Sequence, residues 1–213
     1  MTKRQEPPVR AESSYRAGLS PRAVARAALG MLAEKGADGV SVRGTAERLG
    51  VRMNTVLWHA KTKTRLLELM ADAIVDEVSL DGLPTEWRER VRELMARFRR
   101  ALLAHRDGAR IVTGTYAAEP ATLRFAETLT TALLDGGLPD REAAWTAWNL
   151  QYFVLGLTQE EQSVPDAVDS RLTEALAAGG YPSLGRLSAH IGDASFEGRF
   201  DHGLDLLLGP GRR

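Results

Sequence analysis

Not one of the 213 residues is a cysteine. Disulfides, thiolate metal sites and a cysteine nucleophile are excluded at the outset. Lysine is scarce too: Lys3, Lys35, Lys61 and Lys63 are the whole set, and arginine carries the remaining positive charge. Histidine occurs only at His59, His105, His190 and His202, too scattered to suggest a metal cluster or a catalytic triad. No apolar run approaches the ~20 residues that cross a bilayer. The opening MTKRQEPPVRAESSYRAG holds charges and prolines where a signal peptide needs an apolar core, which fits a cytoplasmic protein. There is no internal repeat and no low-complexity segment, and no stretch sustains the two-residue alternation of a strand.

The formal net charge of +0 hides a division. Residues 1–65 hold 13 Lys/Arg against 5 Asp/Glu, a net +8, while the remainder holds 15 against 23, a net −8. This asymmetry points to a basic module that meets a polyanion and an acidic module with other work.

Helix signals follow one another along the chain. Ser20-Pro21 is an N-cap followed by proline at the first helical position, opening a helix to about Lys35 before Gly36. Val24, Ala28, Leu29, Met31 and Leu32 supply its apolar face. Ser41 caps a second helix that ends at Leu49, before Gly50. A very short third spans Met53 to Trp58, and Thr62 or Thr64 opens a longer one to about Val78. Beyond the DGLPTE break, Thr85 is expected to cap a helix through His105. Further helices are expected near 108–114, 120–135, 139–161, 167–178, 183–191 and 195–208. The fold class is all-α.

The stretch RLGVRMNTVLWHAKTK, residues 48–63, sets Trp58 and His59 directly before Lys61 and Lys63. Two short helices joined by a glycine turn, behind a first helix and ahead of a cationic edge, describe a helix-turn-helix. In that motif the last helix enters the major groove. The segment SVRGTAERLGVRMNTVLWHAKTKTRLLELM resembles the DNA-binding domain of the TetR family of transcriptional repressors. ALLAHRDGARIVTGT, GGLPDREAAWTAWNLQYFVLGLTQEEQ and FDHGLDLLL resemble a C-terminal domain of the tetracycline-repressor type.

The resemblance implies a homodimeric, ligand-responsive repressor that binds double-stranded operator DNA and governs an efflux or modifying gene. It implies three parts: a flexible basic arm over 1–18, a helix-turn-helix domain over 19–65, and a helical ligand-binding and dimerisation domain over 66–213. Arg43 matches the family's base-reading position, and arginine can bond guanine O6 and N7 together. Met53, Asn54 and Thr55 open the recognition helix and should face the groove. Trp58 and His59 match a phosphate clamp, with Trp58 also expected to pack partly on Leu57, Leu66 and Met70, and Lys63 adds a point charge. Leu57 departs from a common tyrosine. Gly44 and Thr45 stand where a cation and a leucine are usual, which is expected to soften the second helix.

The same resemblance implies a pocket around Ser79, Leu94, Phe98, Val112, Thr115, Thr128, Tyr152 and Glu160, with Trp148 beside it. Leu94 replaces an asparagine and Val112 a metal-ligating histidine, and Glu160 alone cannot complete the oxygen shell of Mg²⁺. An apolar or aromatic effector is expected, with no metal and no cofactor. The helices over 139–161 and 195–208 are expected to form a four-helix bundle with their mates, with Leu204 and Leu207 at the seam. Regulation by a protein partner instead of a small molecule is the alternative, and a plain DNA-compacting protein would not need the acidic domain. His105-Arg106-Asp107 imitates a kinase catalytic loop, but the phosphate loop and metal-binding motifs of that chemistry are missing. Asp107 is instead expected to cap the helix that follows it, and an enzyme is not expected.

Overall fold

The computed structural model describes residues 19–115, 118–163, 174–176, 178–191 and 195–209, and every regular element among them is helical. Helix α1 (Pro21–Lys35) is capped by Ser20, whose hydroxyl accepts from the Ala23 amide. Its five expected apolar residues are all buried. A 3₁₀ turn (Ala37–Gly39) leads to α2 (Val42–Leu49), where Ser41 accepts from the Gly44 amide. Gly50, at φ 65°, turns the chain, and the Val51 amide reaches back to the Ala46 carbonyl at 3.0 Å. Helix α3 (Met53–His59) and helix α4 (Lys63–Val75) follow.

The two unusual residues of α2 have structural reasons. A Cβ on Gly44 would stand 2.4 Å from the Met31 methyl, so the glycine lets α2 lie close on α1. Thr45 is fully buried, and its hydroxyl donates to the Ser41 carbonyl at 2.8 Å.

Helix α4 stops at Val75, short of Val78, and passes into turns. The C-terminal part of the core is built from α5 (Trp87–Leu103), α6 (Gly108–Val112), α7 (Pro120–Asp135), α8 (Asp140–Ser163) and α11 (Phe196–Leu208), continuous through α4 with the part beneath α1–α3. Glu86, not Thr85, caps α5, its carboxylate accepting from the Glu89 amide at 2.8 Å. The helix expected near 183–191 is broken at Leu187 into α9 (Pro182–Arg186) and α10 (Ser188–Ile191). The one expected near 167–178 lies for the most part outside the described residues, as does the arm over 1–18.

Helices α5, α7 and α8 pack pairwise, with α6 against α4, α5 and α8, and α11 against α8. The inward stripe of α8 is Ala143, Ala147, Leu150, Val154 and Thr158, while Ala144 is exposed. Arg99 of α5 is buried and binds Glu161 of α8 at 2.9 Å and Glu197 of α11 at 2.5 Å, with its guanidinium over the Phe200 ring. Arg88 donates to the carbonyls of Leu208 and Gly209, both at 2.6 Å, and so satisfies the open end of α11.

Leu204 is 1 % exposed and faces inward with Phe200 and Leu208. It belongs to the core of its own chain, not to a seam between chains. Leu207 is half-buried, and Leu206, 69 % exposed, is the leucine of α11 that faces out.

The α8–α11 contact depends on a missing methyl. A Cβ on Gly203 would sit 2.1 Å from the Phe153 ring, too close for either helix to keep its place. Gly203→Ala is expected to cost ~1–3 kcal/mol of overpacking strain. Calorimetry should register a fall of roughly 2–4 °C in the melting midpoint per kcal/mol lost.

Candidate nucleic-acid interface and ligand pocket

Helix α3 has one dry side and one wet side. Val56 and Ala60 are fully buried toward α1 and α2. Asn54, Thr55, Trp58 and His59 line a single open concavity on the other side, with Met53 48 % exposed beside them. Their spacing of one, three and one residues keeps them on adjoining rows of a helix. The Trp58 indole is 83 % exposed, so the expected packing on Leu66 and Met70 does not occur. The inward positions are already taken by Val56 and Ala60, and Trp58 lies about 200° around the helix from Val56.

Cations flank this surface. Lys63 is exposed on the first turn of α4, where Thr62 caps the helix by accepting from the Arg65 amide at 3.0 Å. The positive end of the helix dipole therefore lies beside the ammonium. Arg43 is exposed on the first turn of α2, its Nε donating to Glu47 at 2.9 Å. Arg48 is drawn away onto α1, bonding Glu34 at 2.7 Å above Gly30.

A cavity of about 330 Å³ lies among the C-terminal helices and the end of α4. Ala71 and Val75 of α4, Phe98 of α5, the end of α6 from Val112 to Thr115, and Thr122 and Phe125 of α7 form most of its wall. Helix α8 adds Trp148, Gln151, Tyr152, Leu155, Gly156 and Gln159. The Phe98 and Phe125 rings meet at 4.8 Å, and Trp148 stacks on Tyr152 at 5.6 Å. Phe98, Val112, Thr115, Trp148 and Tyr152 are therefore brought together as expected.

Leu94, Thr128, Glu160 and Ser79 do not line the cavity. Leu94 is wholly buried in the core, and the Thr128 hydroxyl turns back to the Arg124 carbonyl of its own helix. Glu160 is exposed, about 100° around α8 from Gln159, and Ser79 is exposed with its carbonyl held by Arg97. The residues not anticipated on α8, Gln151, Gly156 and Gln159, continue the helical stripe that Trp148 and Tyr152 begin. Extending that periodicity finds them. Thr122 and Phe125 come from another helix, and nothing local marks them. Among the described residues the wall holds no carboxylate, imidazole or cation.

The corner before α6 ties the C-terminal helices to the turn after α1. Asp107 has φ 55°, in the left-handed region that a non-glycine residue enters only when its surroundings hold it. Its carboxylate does not cap α6; it accepts from the Ala37 amide at 2.8 Å, in the 3₁₀ turn after α1. Arg110 grips Asp38 of the same turn through two nitrogens, at 2.6 and 3.1 Å. The hydrogen bond from Arg110, then its charge, hold the Asp38 carboxyl below the usual carboxylate range. This bridge therefore persists above that range and is lost only as the pH falls through the lowered value. His105 lies 3.0 Å from both Glu77 oxygens just beyond α4, while Arg106 donates to the Glu34 carbonyl of α1 at 3.4 Å, so Arg106 and Asp107 of the kinase-like triplet reach across to the N-terminal helices. Asp76 just beyond α4 binds Arg22 of α1 at 3.1 Å and Arg124 of α7 at 2.8 Å, and Asp72 holds the Thr122 amide and hydroxyl.

Comparison with known proteins agrees with this geometry. Residues 82–209 match the family of tetracyclin repressor-like C-terminal domains, and residues 24–70 match the tetR family of bacterial regulatory proteins. The chain is 32 % identical over 203 residues to the class C tetracycline repressor protein of Escherichia coli, covering 90 % of each. Its fold is similar to that of the TetR family protein ActR of Streptomyces coelicolor, solved in complex with actinorhodin. That match has 29 % identity, a TM-score of 0.78, and covers 90 % of this chain and 94 % of that one. It is similar also to BioQ solved with its natural double-stranded DNA operator, at 32 % identity and a TM-score of 0.61, covering 68 % of this chain and 88 % of that one.

The exposure of Trp58 separates its two expected roles. Trp58→Ala should leave the melting midpoint unchanged, since a solvated side chain away from special contacts shifts stability by no more than ~0.5 kcal/mol. Binding to duplexes of every sequence should weaken together, as checked by fluorescence anisotropy on operator and random DNA.

Proposed function

Because the chain belongs to the TetR family of bacterial transcriptional regulators, we propose that it is a homodimeric repressor released from its operator by an uncharged aromatic molecule. The observation that carries this reading is the double duty of residues 107–115. Val112 to Thr115 form one wall of the cavity, while Asp107 and Arg110 of the same short segment hold the turn behind the DNA-reading helices. A ligand that presses on the wall moves the grip.

On the DNA side, Arg43, Met53, Asn54 and Thr55 face the base edges, and Trp58, His59 and Lys63 hold the phosphates. Two copies related by a two-fold axis set their recognition helices about one helical turn apart, ~34–36 Å. The outer side of α8 supports such a pairing, with Trp145, Trp148 and Tyr152 each about half exposed, as does Leu206 of α11. Large apolar surface of that kind marks a contact with another molecule.

On the ligand side, Phe98, Phe125, Trp148 and Tyr152 suit a flat aromatic body, and Thr115, Gln151 and Gln159 can bond its polar edge. The relative solved with actinorhodin lends the same direction. A partly open, uncharged cavity of this size also favours a small molecule over control by a protein partner. The regulated gene is then one for efflux or modification of that molecule. A ligand shifts the equilibrium only through its preference for the DNA-incompetent arrangement, and coupling of ~1–3 kcal/mol changes operator affinity about 5–150-fold. Operator DNA weakens ligand binding by the same factor.

Two measurements test this reading. Tryptophan fluorescence across a panel of neutral aromatic compounds should find ligands that release the chain from operator without magnesium. Magnesium-tetracycline should leave it bound; release by that complex would contradict the uncharged-ligand assignment. In sedimentation, Leu206→Asp should give folded monomers with reduced operator affinity, because one two-fold body reads both half-sites.

A further inference from the structure

Arg43 does not stand alone on α2. Glu47 lies one turn further along the same face, and the Arg43 Nε–H donates to its Oε1 at 2.9 Å. Both side chains are otherwise in solvent, 82 % and 66 % exposed. A pair so exposed adds little to the stability of its helix. A carboxylate beside a DNA-reading arginine also repels the phosphates of any duplex that approaches. Its presence there needs another reason.

We infer that Glu47 is a specificity-determining positioning residue: through Arg43 it presents the guanidinium end-on to guanine, and its charge weakens binding wherever that guanine is missing. This rests on the assignment of Arg43 as the base reader.

The guanidinium carries five N–H donors in a rigid planar fork. With Nε–H engaged by Glu47, the plane is oriented and the two terminal nitrogens remain for the base. Their parallel N–H bonds match the O6 and N7 acceptors of guanine in the major groove. Without the carboxylate, a long exposed arginine samples many rotamers and can swing to a phosphate, a contact that carries no sequence information. The arginines of α2 are thus sorted by their acidic partners. Glu34 pulls Arg48 back over α1, whereas Glu47 holds Arg43 at the surface of its own helix.

The charge acts in the same direction. On a site with guanine, the Glu47–Arg43–base chain is hydrogen-bonded throughout. On a site without it, the arginine lacks its base while the carboxylate still opposes the phosphates. Removing Glu47 therefore has two effects of opposite sign, a pattern that loss of helix stability would not produce.

The test uses duplexes selected from a random pool by the wild-type chain, with each guanine replaced in turn by the other bases. Glu47→Ala should raise affinity for random-sequence DNA about threefold to tenfold, the effect of one charge on counterion release. Preference for guanine at the Arg43 position should fall by about tenfold in the same variant. Glu47→Gln keeps an oxygen acceptor without the charge, so it should share the gain on random DNA yet retain most of the guanine preference. Arg43→Ala should erase that preference, and adding Glu47→Ala should remove nothing more. Unchanged melting curves establish that each variant is folded. Wild-type guanine preference in Glu47→Ala, alongside its loss in Arg43→Ala, overturns the inference. Preference that survives Arg43→Ala overturns the operator reading of Arg43 as well.

Discussion

Helix α4 runs through both the N-terminal and the C-terminal parts of one continuous core, and the other elements are arranged around that fact. Leu66, Leu69, Met70 and Ile74 are buried along it, while Ala71 and Val75 line the cavity. Its N-terminus carries Lys63 beside the DNA-facing surface, and its flanks pack on α1, α5, α6 and α7. Interiors packed to crystal-like density transmit a displacement and do not absorb it. A body in the cavity therefore cannot move α7 or the end of α6 without bearing on the helix that carries the reading domain.

Polar contacts give this apolar packing its register. The expected division between domains at residues 65 and 66 falls inside α4, and the chain bridges it with charge. Arg65 reaches Glu119 just before α7, Asp76 is shared by Arg22 and Arg124, and Asp107 and Arg110 hold the turn after α1. Polar contacts at or near the surface such as these, several of them half-buried, contribute modestly to overall stability. Their value is geometric, because each fixes the angle between two packed bodies at small energetic cost to breaking. Part of the acidic excess beyond residue 65 is used here, at the joint.

The aromatic residues divide by burial rather than by position in the chain. Phe98, Phe125 and Phe200 are buried and carry no polar atom. Trp58, Trp145 and Tyr152 stay more than half exposed, each with a hydrogen-bonding tip on a flat apolar body. Such side chains suit surfaces that another molecule will cover. Trp148 and Tyr152 sit where the cavity wall and the outer face of α8 meet, so on the proposed reading ligand contact and pairing would share side chains.

Local chemistry in the sequence was enough for the first four helices, while the DNA-reading role of their surface rests on resemblance. Caps at Ser20, Ser41 and Thr62, the left-handed Gly50, and the buried stripe of α1 involve residues within a few positions of one another, so they are legible in a short window. The recognition helix is legible for the same reason, being seven consecutive residues. Most of the cavity's aromatic wall was also found, through resemblance and the stripe on α8. Only the tertiary structure decided the rest, because it depends on distances across the chain. Asp107 leaves its own helix for an amide 70 positions away. Leu204 and Leu206, two residues apart, lie on opposite sides of α11, one in the core and one in solvent. Leu94 and Thr128 lie about one turn along their helices from Phe98 and Phe125, and Glu160 points about 100° around α8 from Gln159. Periodicity tells which residues share a face, but what that face meets is set by the packing of helices whose contact residues are far apart in sequence.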